Sequence, residues 1–521
     1  MSRWIDSFNH VVVLMLENRS FDNLLGNLYQ NGVPKGQHFE GLQNAKDYAN
    51  PIPSRAKNPD HKADVPVGKA KDYHQPFPDP GEEYPHINTQ LYDVIDPANV
   101  GKTAWNMTTP YNVPSDPPPQ AGMKGFVNDY VNTLQAMTGT PFADPDYDIY
   151  SQIMACFEPA QLPVLSTLAK SFAVFDHWHC SVPSQTWCNR AFWHAATSGG
   201  QVFNPIGDAG EGDERTLEEI KIWASQVWSK ETVFHQMKQR GIKHKVYTDN
   251  YDISLTYIVH GMEDLPHSLS RFHHDLQHGE LPDYAFIEPR FLSADHNDQH
   301  PSSQKTEGQA GTVLLGEHLI ADIYNAIKNS SYRDDVLFII THDEHGGCFD
   351  HVAPPAAVPP ASNQKGQDDF TFNRLGIRVP MVMISSRILE NSIINTPCDH
   401  TSFLATLSDK WGLPALTNRA ASAFSIADVM QKRMTSSLRT WPDVHPVPIP
   451  ESHANIDLSG HPLNGLQRSI LTGAVALHFK DQLESDDFKE WINRAILINT
   501  VDDALNFIKD LKCLNHETVD A

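Results

Sequence analysis

The segment DVLFIITHDEHGGCFDH, residues 335–351, constrains this chain more than any other. Its first part, 335–340, is an apolar run with the β-branched content and length of a buried strand. It opens directly into two adjacent carboxylates, Asp343 and Glu344, followed by His345 and the pair Gly346–Gly347. A protein core is a poor place for such residues, because each buried charge must be paired. The C-terminal edge of a parallel sheet suits them, since open α/β folds bind their ligands there. A solvated, charged turn is the competing reading, and partners elsewhere in the chain decide between the two.

Four other segments repeat the pattern of a buried strand that runs into polar residues. A strand at 11–16 leads into Glu17-Asn18-Arg19-Ser20-Phe21-Asp22, and one at 172–175 leads into DHWHCSVPSQTWCNR, residues 176–190. Thr186 lies just ahead of a helix expected from about Asn189. It can cap that helix, or act as a nucleophile whose attacked phosphoryl group meets the helix's N–H donors and positive dipole end. A strand at 284–287 precedes DHNDQHP at 295–301, and one at 379–384 precedes Asp399–His400, which opens a helix to about 411. Further helices are expected at 125–137, 151–168, 217–237 and 312–329.

This alternation predicts an α/β fold with a mainly parallel sheet sandwiched between helices. Because the motifs run from 17 to 400, they call for one catalytic domain over 1–430. Within it, the Pro-, Gly-, Asn- and Asp-rich stretch 27–125 reads as an irregular insertion over the site. Residues 431–521 read as a linker, including WPDVHPVPIP, and a mostly helical C-terminal extension.

Composition excludes some function classes. Forty Lys and Arg against 64 Asp and Glu leave a formal charge of −24, which opposes nucleic acid binding. No apolar run reaches the length of a transmembrane helix. The N-terminus reads as a first strand and not as a Sec signal. Six cysteines form no CxxC pair, so neither a zinc module nor a disulfide framework is expected. The expected location is the cytoplasm, or the outside of the cell by a route without a cleaved signal.

ENRSFD at 17–22, SVPSQTWCNR at 181–190, DEHGGCFDHVAPP at 343–355 and DHTSF at 399–403 together resemble a known family. It is the bacterial phosphoesterase family of phosphatidylcholine-type phospholipases C and related acid phosphatases, within the alkaline phosphatase-like superfamily. The resemblance implies an alkaline phosphatase-like fold and a divalent metal, zinc favoured, bound by Glu17, Asn18, Asp343 and Glu344. It implies Thr186 as nucleophile, although Ser184, Gln185 and Cys188 depart from the family's VPGPTxPNR-like pattern. His300, His351, His86 and the pair Asp399–His400 are the expected acid–base groups, and Trp187, Asn189 and Arg190 are expected at the substrate. The leading expectation is a phospholipase C forming a phospho-threonine, with Trp178, Trp187 and Trp193 available for cation–π contact with choline. An acid phosphatase acting on monoesters is the second, and an inactive metal-containing interaction protein the third. Contact with a membrane would be transient.

Overall fold

A computed structural model describes residues 3–43, 48–137, 145–205, 215–249, 253–301, 312–450 and 460–517. Eight strands form the central sheet: β1 (His10–Leu16), β2 (Ala173–Phe175), β3 (His244–Thr248), β4 (His267–Ser268), β5 (Tyr284–Glu288), β6 (Val336–His342), β7 (Met381–Ile384) and β8 (Ser392–Ile394). They lie in the order β8-β2-β7-β6-β1-β5-β3-β4. Only β7 runs against its neighbours; every other pairing in the sheet is parallel. The connection before it, residues 343–380, carries no crossover helix, only the short turn Gln367–Asp369.

Every residue of β5 and β6 is buried, and all of β1 except half-buried His10. Successive side chains of a strand point to opposite faces, so both faces of the sheet are covered, and apolar runs without alternation are the result. Register then does the work of assembly. Leu16 is paired with His342, so Glu17 and Asp343, the next residues of β1 and β6, leave the sheet side by side. On the other flank of β1, β5 ends at Glu288.

Several expected elements are redrawn. The helix expected over 151–168 is a 3₁₀ turn (Ser151–Met154), a short strand (Ala155–Cys156) and a helix (Pro163–Ser171), because Pro159 and Pro163 interrupt it. The helix expected over 217–237 is two, Arg215–Gln226 and Val233–Arg240, the second opened by a capping box on Thr232. The insertion 27–125 contains a nine-residue helix, Tyr84–Tyr92, buried along most of its length against Phe126–Met137. After 460, three helices (Gly465–His478, Asp486–Ile496 and Val501–Glu517) join an apolar cluster with Trp187, Trp223 and Phe291. The Pro-rich stretch from 441 is anchored, since the Trp441 ring lies 5.6 Å from Phe172 and 5.1 Å from Tyr324. Among the described residues, no helix is long and apolar enough to cross a membrane.

Candidate active site

The helix Thr186–Ala195 begins at Thr186 itself, three residues before the expected start. Gln185 is its N-cap and makes no side-chain cap bond. The Thr186 hydroxyl is therefore not spent on capping. It donates to Glu17 Oε2 at 2.8 Å, and Asn18 Oδ1 lies 3.4 Å away. The loop ahead of it is held by Asn189, whose Nδ2 donates to the carbonyls of Val182 (3.1 Å), Ser184 (2.8 Å) and Gln185 (3.3 Å). The residues that depart from the family pattern also hold this loop. Ser184 Oγ donates to the Val202 carbonyl at 2.6 Å, and Gln185 Oε1 accepts from Asn204 N at 3.0 Å.

Arg190, one turn along the same helix, is fully buried among three strand ends. Its Nε donates to Glu17 Oε1 at 2.9 Å and its Nη2 reaches the same oxygen. Asp343 Oδ2 lies 3.7 Å and Glu288 Oε1 4.0 Å from the guanidinium. Burial pushes the Glu17 carboxyl well above its ordinary range; Arg190 opposes the shift and Asp343 adds to it. Glu288 escaped the sequence reading, and its place as the last residue of a buried strand is the signal that could have found it.

Asn18 sits in the left-handed region, φ 51°, with its N–H donating to Asp343 Oδ1 at 3.1 Å. Two glycines make room for this arrangement. A Cβ on Gly346 (φ +61°) would lie 2.2 Å from the Asn18 carbonyl oxygen, and one on Gly347 would lie 2.5 Å from the Gly81 carbonyl oxygen. Gly346→Ala is expected to destabilise the fold by about 2 kcal/mol or more and to lower activity by displacing Asn18. Denaturation midpoint and kcat measured together check this; a variant unchanged in both would refute it.

The insertion supplies groups not anticipated from the sequence. Glu82 accepts from Asn18 Nδ2 and, at 3.3 Å, from Gln185 Nε2. His300 Nε2 lies 3.0 Å from Asn18 Nδ2, and Asp79 Oδ2 lies 3.8 Å from His300 Nδ1. Burial pushes the carboxyls of Glu82 and Glu344 well up; Glu344 adds to the shift of Glu82, and Asp343 to that of Glu344.

Comparisons with known proteins show the family of the chain. The model of the Phosphoesterase family matches residues 8–414. The chain belongs to the Phosphoesterase family, whose members hydrolyse phosphoric esters. Non-specific phospholipase C3 of Arabidopsis thaliana is 30% identical over 503 residues, 90% of this chain and 83% of that protein. Non-specific phospholipase C6 of the same plant is 28% identical over 482 residues, 88% and 79% of the two chains. Phospholipase C A of Mycobacterium tuberculosis is 24% identical over 445 residues, 79% and 74%. Among solved structures, a protein of the alkaline phosphatase superfamily from Vibrio parahaemolyticus aligns with 52% of this chain and 64% of its own, at 14% identity and a TM-score of 0.31.

The other expected site residues of this phosphoesterase divide into two groups. His300 joins the cluster around Asn18, and His86 lines a cavity of about 280 Å³ with Asp79, Glu82, Glu83, Gln185 and Arg468. His345, given no task from the sequence, links the two regions. Its ring Nε2 donates to Gln90 Oε1 (2.7 Å), Gln90 Nε2 donates to Asp129 Oδ2 (2.9 Å), and Asp129 Oδ1 receives His86 Nδ1 (2.7 Å). Burial brings the His345 pKa down to about 3, so its ring is neutral.

The second group is not brought to Thr186. His351 is bonded to Asp22 Oδ2 (2.5 Å) and Glu40 Oε1 (3.1 Å), in a network closed by Arg378. His400 Nε2 donates to the Asp343 carbonyl at 2.6 Å while its Nδ1 faces the Trp178 indole N–H at 3.3 Å, so it orients Asp343. Asp399 accepts from Ser181 Oγ (2.7 Å) and Thr401 Oγ1 (2.6 Å), tying down the loop before Thr186. The expected choline-binding tryptophans are core residues. Trp187 packs on Trp223 and donates to Ser469 Oγ at 3.1 Å, Trp193 stacks on Phe403, and Trp178 abuts Phe175.

The oxygen-rich set Glu17, Asn18, Asp343 and Glu344 suits a divalent cation. Two of its oxygens, Asp343 Oδ2 and Glu344 Oε1, are buried without a hydrogen-bond partner, which is what a ligand set without its ion leaves behind. The donor chemistry fits the group, while the carboxylates of Glu17, Asp343 and Glu344 are not among those whose ligand atoms all lie within 4.8 Å of one another, and Arg190 occupies Glu17 Oε1.

Proposed function

We propose that this phosphoesterase is a metal-dependent phospholipase C, which splits the glycerol-side ester of phosphatidylcholine-like lipids through a phospho-threonine at Thr186. The hydrogen bond from Thr186 Oγ1 to Glu17 Oε2 at 2.8 Å, at the start of a ten-residue helix, carries the reading. It aims the hydroxyl's lone pairs away from Glu17, and the helix dipole favours the negative charge that builds on the attacked phosphoryl group. A cation held by Glu17, Asn18, Asp343 and Glu344, zinc favoured, would supply positive charge that lowers the hydroxyl's pKa and screens the phosphate.

Thr186 Oγ1 attacks phosphorus in line, its proton leaving along the bond to Glu17, and the bond to the glycerol oxygen breaks. His86, held at Nδ1 by Asp129, is the group that gives its Nε2 proton to the departing alcohol from the cavity side. It then takes a proton from the water that hydrolyses the phospho-threonine. Asn189, Asp399 and His400 position this machinery, and Arg190 opposes the protonation of Glu17 that burial favours.

Two observations favour a diester with a cationic headgroup over a monoester. The relatives from Arabidopsis thaliana described above bear phospholipase C names, and three carboxylates, Asp79, Glu82 and Glu83, line the adjoining cavity. Arg468 lines the same cavity but is outnumbered by the acids, which leaves a wall better suited to an ammonium headgroup than to a dianionic monoester. Side-by-side kcat/KM values on a choline phospholipid in mixed micelles and on a simple aryl phosphate test the reading. The lipid is expected to be the better substrate by about tenfold or more, equivalent to about 1.4 kcal/mol in the transition state. A preference for the monoester would overturn it in favour of an acid phosphatase.

A further inference from the structure

The helix Tyr84–Tyr92 buries a second polar side chain one turn after His86. Gln90 lies four residues on, so the two side chains share one face of the helix. We propose that Gln90 is a positioning residue for the leaving-group acid: its amide fixes both supports of the His86 ring, the Asp129 carboxylate and the Gly81 peptide, and ties them to the turn that carries Glu344. The proposal rests on the assignment of His86 as that acid.

Gln90 uses both hydrogens of its amide and the oxygen. Nε2 donates to the Gly81 carbonyl at 2.8 Å and to Asp129 Oδ2 at 2.9 Å, and Oε1 accepts from His345 Nε2 at 2.7 Å. This set needs two hydrogens on one nitrogen beside an acceptor oxygen, which a primary amide provides. Glutamate has the same shape, but it would turn a carboxylate oxygen towards Asp129 Oδ2 and the Gly81 carbonyl.

Two of these bonds bear on His86. Its Nδ1 lies 2.7 Å from Asp129 Oδ1, so the orientation of that carboxylate sets the orientation of the ring, and the amide on Oδ2 keeps the carboxylate from turning. The amide also supports the charge. Burial pushes the Asp129 carboxyl up, while His86, Gln90 and Arg55 oppose the shift. An ionised Asp129 in turn stabilises the protonated ring that gives up its Nε2 hydrogen. Gly81 is the second support. A Cβ there would lie 2.3 Å from His86 Cγ, so the ring rests directly on the glycine's α-carbon, and Gln90 holds that peptide by its carbonyl.

The third bond reaches the other side of the site. His345 and Gly347 belong to the turn after Glu344. His345 meets the Gln90 oxygen, and Gly347 lacks the Cβ that would strike the Gly81 carbonyl oxygen at 2.5 Å. The acid and the carboxylate turn are thereby built on one frame, with Gln90 at its centre. Gln90 does not line the cavity, so it acts through His86 and not on the substrate.

A leaving-group comparison tests the proposal. The glycerol oxygen of phosphatidylcholine needs a proton to depart, whereas the nitrophenolate of p-nitrophenyl phosphocholine departs without one. The full-length enzyme is assayed on both for kcat/KM, which reports the step in which the bond to the leaving group breaks. Gln90→Met keeps the volume and removes the amide. It is expected to lower kcat/KM on phosphatidylcholine by about 10²-fold, the lower end of what a positioned acid contributes, and on the aryl diester by less than about threefold. Gln90→Glu is expected to show the same split and carries the test should Gln90→Met fail to fold, which circular dichroism decides. Equal losses on both substrates, or no loss on either, would overturn the proposal. His86→Ala separates it from the reading on which it rests. Without a split in His86→Ala the acid assignment falls, and a split there with none in the Gln90 variants removes Gln90 alone.

Discussion

Thr186→Ala lowers kcat on phosphatidylcholine by about 10³-fold or more, because the attacked phosphorus then has no nucleophile in line and only binding and electrostatic stabilisation remain. Thr186→Ser, which keeps a hydroxyl on the same helix position, retains more activity than the alanine variant. The wild type, quenched in acid during turnover, carries a phosphate adduct that peptide mass spectrometry maps to Thr186; the alanine variant carries none. Alanine also deprives Glu17 Oε2 of the donor it has at 2.8 Å, so a stability loss of about 1–2 kcal/mol accompanies the catalytic loss. The two effects separate in a comparison of melting temperature with kcat at a temperature where both proteins are folded. A Thr186→Ala enzyme with kcat near wild type would sink the mechanism.

The largest stability effect is expected at Arg190. Its guanidinium is buried against Glu17, within 3.7 Å of Asp343 and 4.0 Å of Glu288. Arg190→Met fills much of the volume but leaves three strand-end carboxylates without the arginine they share. Breaking one side of a buried ion pair typically costs about 3–5 kcal/mol. Chemical denaturation should register a loss of that size. Arg190→Lys is expected to recover only part of the loss, since an ammonium cannot present two N–H groups to one carboxylate while lying near the other two. An unchanged denaturation midpoint for Arg190→Met would show that the three acids are held by something other than this residue.

Much of the sheet was legible because strands buried on both faces leave apolar runs. β1, β5 and β6 appear in the sequence as such runs, and the polar residues at their ends mark the sheet's C-terminal edge. The reversed direction of β7 was not legible, because an apolar run carries no arrow. The expected helix over 151–168 failed on prolines that a periodicity reading averages away.

The site divides in the same manner. Glu17, Asn18, Asp343 and Glu344 follow strands directly, so their neighbourhood could be argued from a parallel register. Asp79 and Glu82 lie in PDPGEEYPH, a stretch without period, and nothing local connects it to Asn18. His300, His351 and His400 each stand within two residues of an acid in the sequence, but the structure gives their ring nitrogens different partners: the Asn18 amide and the Pro301 carbonyl for His300, Asp22 and Glu40 for His351, and the Asp343 carbonyl and Trp178 for His400.

The sequence by itself determined the α/β class, the strand ends that carry the site and membership in a phosphoesterase lineage, because burial pattern and short motifs are local properties of the chain. Only the tertiary structure decided which partner each histidine ring meets, that Arg190 serves three carboxylates, and that the irregular insertion brings Asp79 and Glu82 to His300. Those outcomes depend on hydrogen bonds between residues far apart in the chain, such as the one from Asn18 to Glu82, and a linear pattern does not encode such partners.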